Sequence, residues 1–222
     1  MNLKDINIKD LMSKLAKQNE VFESEAQFQF ELAQLIKDEY GKYGFRIKLE
    51  LVTAYSNNPL KRYYSDIIIL DKDNNYIAIE LKYKTKASKC NGVILLNHGA
   101  TDLGRFDYLW DIHRIELLKY KNRKIYSYND NLQNFIKGFA IILTNESKYW
   151  TINKKSKDTL YKNFCISNLD KIYKNINLEW NKKNGKSCVD GTWRDIKLSF
   201  KQDYAFQWDD FNNDFRYLII EI

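Results

Sequence analysis

A segment that reads Ile67-Ile68-Ile69-Leu70 has no polar side to turn to water. Side chains alternate across a strand, so an unbroken apolar run belongs to a sheet covered on both faces. The run ends segment 63–70, and segment 76–83 follows it after Asp71-Lys72-Asp73-Asn74-Asn75, short polar residues that suit a tight connection. The spacing predicts a β-hairpin whose first strand lies deep in the sheet.

Helical periodicity surrounds this hairpin. Ile8, Leu11, Met12 and Leu15 share a helical face with Lys9, Lys14 and Lys17 between them, which predicts a short amphipathic helix packed on the flank of the domain. Ser24-Glu25-Ala26-Gln27 has the form of a capping box, and Phe28, Leu32, Leu35 and Ile36 continue as the apolar face of a second helix that ends near Tyr40-Gly41. Phe45, Ile47, Leu49 and Leu51 alternate with Arg46, Lys48 and Glu50, a strand pattern with one buried face, and Asn57-Asn58-Pro59 then predicts a loop. Tyr108, Leu109, Ile112 and Ile115 predict a helix over 104–120 with Asp102 as its cap, followed by a strand over 138–143. Beyond Trp150 the pattern changes to short β-like pieces at 177–180, 196–200 and 215–222, separated by Asn184-Gly185 and Asp190-Gly191 turns.

At 222 residues the chain suits one domain. The expected division is an N-terminal helix in 1–20, a core in 21–145 and a β-rich extension in 146–222. Hydrophobic residues at 44 % with a single proline exclude a disordered or collagen-like chain. The longest apolar runs, such as Phe139-Ala140-Ile141-Ile142-Leu143, are far below the roughly 20 residues of a membrane span. Cys90, Cys165 and Cys188, with His98 and His113 as the only histidines, allow no zinc site of ordinary spacing and suit a reduced cytoplasm. The net charge of +7 favours an anionic partner, with nucleic acid first.

The hairpin also carries chemistry. Ala78, Glu80, Lys82 and Lys84 share one face of the second strand, and Asp66, near the start of the first, can face Glu80 across the pair. An alternating Glu-x-Lys face is commonplace on solvated strands; here the neighbouring apolar run puts these charges in a cleft. Carboxylates gathered in a cleft repel one another, and a hard divalent cation with oxygen ligands compensates them. A lysine one pleat beyond the second carboxylate can orient a water and steady charge on an attacked phosphate.

In these residues the chain resembles the PD-(D/E)xK nuclease superfamily, through Ser24-Glu25 on the first helix, Ser65-Asp66, and Glu80-Leu81-Lys82 on the hairpin. The resemblance covers roughly 20–145; Ser65 stands where the motif's name has proline. It implies an α/β fold with a restriction endonuclease-like core, a mixed central sheet flanked by helices, with the C-terminal β-rich extension appended. It further implies that Asp66, Glu80 and the backbone carbonyl of Leu81 bind magnesium, with manganese able to substitute. Lys82 then assists the attacking water, and Glu25 completes the acidic cluster.

The expected activity is metal-dependent phosphodiester hydrolysis, of DNA ahead of RNA, in restriction, phage defence or repair. Lys84, Lys86, Lys89 and Arg62, with Lys61, predict a basic approach to the cleft. Asp107, Asp111 and Arg114 fall on one face of the following helix, either a solvated salt-bridge stripe or a group beside the site. Trp180, Trp193 and Trp208 fit core positions better than base-stacking ones. Two alternatives stay open: a nucleic-acid-binding or regulatory protein on the same scaffold without turnover, and a Holliday-junction-type resolvase, which requires a homodimer.

Overall fold

The computed structural model describes residues 1–18, 21–56, 62–90, 92–121, 126–151, 161–182, 187, 189–212 and 214–222. The helices are α1 (Ile8–Gln18), α2 (Glu25–Tyr40) and α3 (Thr101–Tyr120). The strands are β1 (Arg46–Ser56), β2 (Arg62–Leu70), β3 (Tyr76–Lys84), β4 (Ser88–Cys90), β5 (Val93–Leu95), β6 (Tyr126–Tyr128) and β7 (Phe135–Thr144). They continue as β8 (Lys171–Ile172), β9 (Asn177–Leu178), β10 (Leu198–Ser199), β11 (Tyr204–Ala205), β12 (Trp208–Asp210) and β13 (Arg216–Glu221).

A mixed sheet in the order β12-β13-β7-β3-β2-β1-β6 forms the middle layer. β3 and β7 run parallel, and the other neighbours are antiparallel. α1 and α2 cover one face, where Leu11, Leu15, Phe28, Leu32 and Ile36 meet Ile67, Ile69, Ile79 and Leu81. On the other face Leu109, Ile112 and Ile115 of α3 pack with Ile142 and Leu218, and Leu118 packs with Ile68 and Ala78. The apolar run of β2 is therefore buried on both sides, each side chain contributing about 1.5–3 kcal/mol. No helix among the described residues is long and apolar enough to cross a membrane.

Local structure departs from the sequence expectations in four places. Ser24 caps α2 by accepting from the Gln27 N–H at 3.1 Å, but the Gln27 side chain turns to the Glu23 N–H, so the capping box is not reciprocal. α3 begins at Thr101 after Ala100, which makes no side-chain cap, and Asp102 lies in the first turn, where its charge suits the positive end of the helix. In β1 the alternation fails at Glu50, whose φ of 50° breaks the pleat, and the preceding Leu49 is exposed although its pairing with Ile67 is regular. Finally, β12 and β13 are not an appendage. Tyr217-Leu218-Ile219-Ile220 is an apolar run like that of β2, and it is inserted beside β7 in the main sheet. Among the described residues the β4–β5, β8–β11 and β9–β10 ladders stand outside it. The loop at 57–59 and the Asn184-Gly185 turn lie outside the described residues.

Candidate active site

The β2–β3 ladder runs from Leu70–Tyr76 to Ile67–Ile79 and stops one pair short of Asp66 and Glu80. β3 continues to Lys84 along β7. Past Ile79, its N–H groups on the β2 side have lost their strand partner, and buried N–H groups must find another. Two carboxylates take them: Asp66 Oδ2 accepts from the Leu81 N–H at 2.5 Å, and Glu25 Oε2 accepts from the Tyr83 N–H at 2.6 Å. The acidic residues are thus built into the opening of the hairpin. Gln29 of α2 steadies the other side, donating to Glu50 Oε1 at 2.8 Å and to the Asp66 carbonyl at 2.7 Å.

α3 supplies the counter-charges. Arg114 Nη1 lies 3.2 Å from Glu80 Oε2 and 3.4 Å from Asp111 Oδ1, and Arg114 Nη2 also donates to the Tyr64 carbonyl. Lys82 Nζ lies 2.8 Å from Asp111 Oδ2, an ion pair by distance that lacks the alignment of a directed hydrogen bond. The same ammonium donates to the Leu81 carbonyl at 3.1 Å, the oxygen expected to bind a metal. Asp111 and Glu80 are each 2 % exposed, so this face of α3 is not a solvated stripe. Ser65, Glu80, Arg114, Tyr63 and Tyr128 border a cavity of about 20 Å³, room for about one water.

Four carboxylates, Glu25, Asp66, Glu80 and Asp111, therefore meet two cations, Lys82 and Arg114. Burial raises the Asp66 carboxyl to about 6; Lys82 and the Leu81 N–H oppose the rise, while Asp111 and Glu25 add to it. Burial also lifts Glu80 well above the usual carboxylate range, with Arg114 opposing and Asp66 and Asp111 reinforcing. Burial alone would lower Lys82, but Asp111, Glu25 and Asp66 outweigh it and hold the ammonium charged. Among the described residues no group of three or more His, Cys, Asp or Glu side chains is arranged to hold a metal ion. Asp66 and Glu80 leave two carboxyls at the open end of the hairpin, a donor number that once deprotonated fits a hard cation taking one or two carboxylates and completing its shell with water and phosphate.

The hairpin and the start of α2 bring Glu25, Asp66, Glu80, Leu81 and Lys82 together, while the residues of the predicted basic approach are more exposed. Lys86 and Lys89 are exposed, Lys84 is half-buried, Arg62 is exposed at the start of β2, and Lys61 lies outside the described residues. Sequence reasoning left Asp111 and Arg114 undecided and missed Gln29. The spacing of Asp111 and Arg114 was visible, but the surface they would face was not. Trp180 and Trp208 are core residues, whereas Trp193 is 48 % exposed. Comparison of the chain with known family models, curated proteins and solved structures finds no match.

Proposed function

We propose that this chain is a metal-dependent nuclease with a restriction endonuclease-like core, hydrolysing phosphodiesters of nucleic acid, DNA ahead of RNA. The observation that carries the reading is the crowding of Asp66 and Glu80 at the open end of the β2–β3 hairpin beside Lys82, with burial lifting both carboxyls. Asp66 and Glu80 would hold magnesium, which supplies Lewis-acid polarisation of the phosphate and a more acidic water. Glu25 keeps the Tyr83 N–H satisfied and so fixes β3 where it leaves β2. Asp111 holds the Lys82 ammonium at the Leu81 carbonyl, from which it can turn to a phosphate oxygen or a water. Arg114 offsets Glu80 and leaves the cluster with less charge to compensate.

The pairing of Lys82 with Asp111 and of Glu80 with Arg114 favours one other reading, a nucleic-acid-binding protein without turnover. Purified protein incubated with magnesium or with EDTA on plasmid, linear, single-stranded and branched substrates separates the two. Cleavage is expected with magnesium alone. Lys82→Ala should lower the rate about 10²- to 10⁴-fold while still binding manganese, and Asp66→Asn and Glu80→Gln should abolish metal-supported cleavage. Full activity in all three variants refutes the nuclease reading; binding without cleavage by the wild type supports the second.

A further inference from the structure

Trp193 is the exception among the C-terminal tryptophans, 48 % exposed where Trp180 is 4 % and Trp208 6 %. Its ring is held from two sides. The Arg194 guanidinium lies 4.5 Å from the ring centroid, and Asp107 fixes that guanidinium through two hydrogen bonds of 2.7 and 3.0 Å. Phe106 backs the indole at 5.9 Å between centroids. Trp110 stands 6.1 Å away with its plane inclined by 54°. With Tyr63 and Ile196, the two indoles wall a cleft of about 570 Å³ that also reaches Lys82, Asp111 and Arg114.

An indole left about half in water and braced by an ion pair is unfavourable for the free protein and offers its open part to a flat ligand. The cleft combines aromatic walls with two cations, Lys82 and Arg114, which share its lining with Asp107 and Asp111, and Arg194 lies against Trp193. A nucleobase and its flanking phosphate have this combination of a flat π-face and a negative charge. In a duplex the base faces are covered by their neighbours, so only an unpaired or extruded base can enter.

We propose that this cleft receives an unpaired nucleobase of a single-stranded nucleic acid, stacked on the open part of Trp193 with Trp110 against its edge and its phosphate toward Lys82 and Arg114. The inference rests on the nuclease reading and narrows its substrate class to unpaired strands.

The test is binding in EDTA, where no turnover is required, measured by fluorescence anisotropy. The probes are a labelled single-stranded oligodeoxynucleotide, its duplex, and an abasic strand of equal length. The single strand should bind more tightly than the duplex, and it should quench tryptophan emission of the wild type. Trp193→Ala should weaken single-strand binding by about 5- to 150-fold, the range for loss of one stacked base, with little change for the abasic strand. Trp193→Phe should restore most of the affinity. Equal affinity of the wild type for base-bearing and abasic strands overturns the proposal, as does Trp193→Ala binding like the wild type. Absence of quenching overturns it too, and that readout stands even if Trp193→Ala does not fold. Magnesium-dependent cleavage is scored separately: its absence alongside Trp193-dependent binding refutes the nuclease reading and leaves the base site standing. Cleavage without dependence on Trp193 does the reverse.

Discussion

Asp66 is the side chain on which backbone pairing and the proposed metal binding meet. It accepts the Leu81 N–H that β2 leaves unpaired, yet burial among other carboxylates raises its pKa from 3.8 to about 6. Between these two values the folded chain keeps a proton that the unfolded chain has released. Stability from Asp66 is thus fully present below about pH 4 and is lost as pH rises through about 6, a change of about 2–3 kcal/mol. In metal-free protein the melting temperature should fall over this window, and Asp66→Asn, which keeps an acceptor for Leu81 without the charge, should flatten the fall. An unchanged pH profile in the variant would show that Asp66 is well solvated. The same titration sets the expected rise of magnesium-dependent stabilisation with pH, because a bound cation must displace that proton.

At the scale of elements, the site is where a hairpin opens against a helix. β3 has β7 as a continuous parallel partner, so it stays in the sheet after β2 departs. α3 lies over the gap, and Arg114 with Asp111 connects it to Glu80 and Lys82. Removing one member of a buried pair strands the other, which typically costs 3–5 kcal/mol. Arg114→Met should therefore destabilise the protein by about that amount, with Glu80 escaping part of the penalty by protonation. Adding Glu80→Gln should recover about 0.5–3 kcal/mol as a coupling energy in a denaturant double-mutant cycle. Strict additivity of the two changes would mean that the pair is solvent-screened and that α3 is not coupled to the hairpin through it.

For the whole molecule, the net charge of +7 acts at longer range than any pair in the site. Phosphate contacts release counterions, so even two of them should weaken nucleic-acid binding about tenfold between 50 and 200 mM salt. Affinity measured over that range checks this, and a flat salt response would point to an uncharged partner. The C-terminal strand matters at this scale as well. Ile222 and Gly138 exchange backbone hydrogen bonds of 2.9 and 3.1 Å, which ties the end of the chain to β7, the same strand that supports the site.

Strand alternation and short connections are local and leave little choice of register, so the hairpin, the helix before it and the grouping of Asp66, Glu80 and Lys82 were legible in the order of residues. Glu25 was legible for a related reason, since an N-terminal helix residue beside a capping serine projects from a known end of its element. What those residues touch depends on how the layers pack. Asp111 and Arg114 share a face in any α3, but only the docking of that helix over β3 sets them against Lys82 and Glu80. The run 217–220 carried the same signal as 67–70, yet its place beside β7 required a pairing with a strand more than seventy residues earlier. Trp193 looked like one more core aromatic; its exposure depends on Asp107 and Arg194 meeting across 87 positions of chain. Such contacts are set by how layers close on one another, and local periodicity has no access to that.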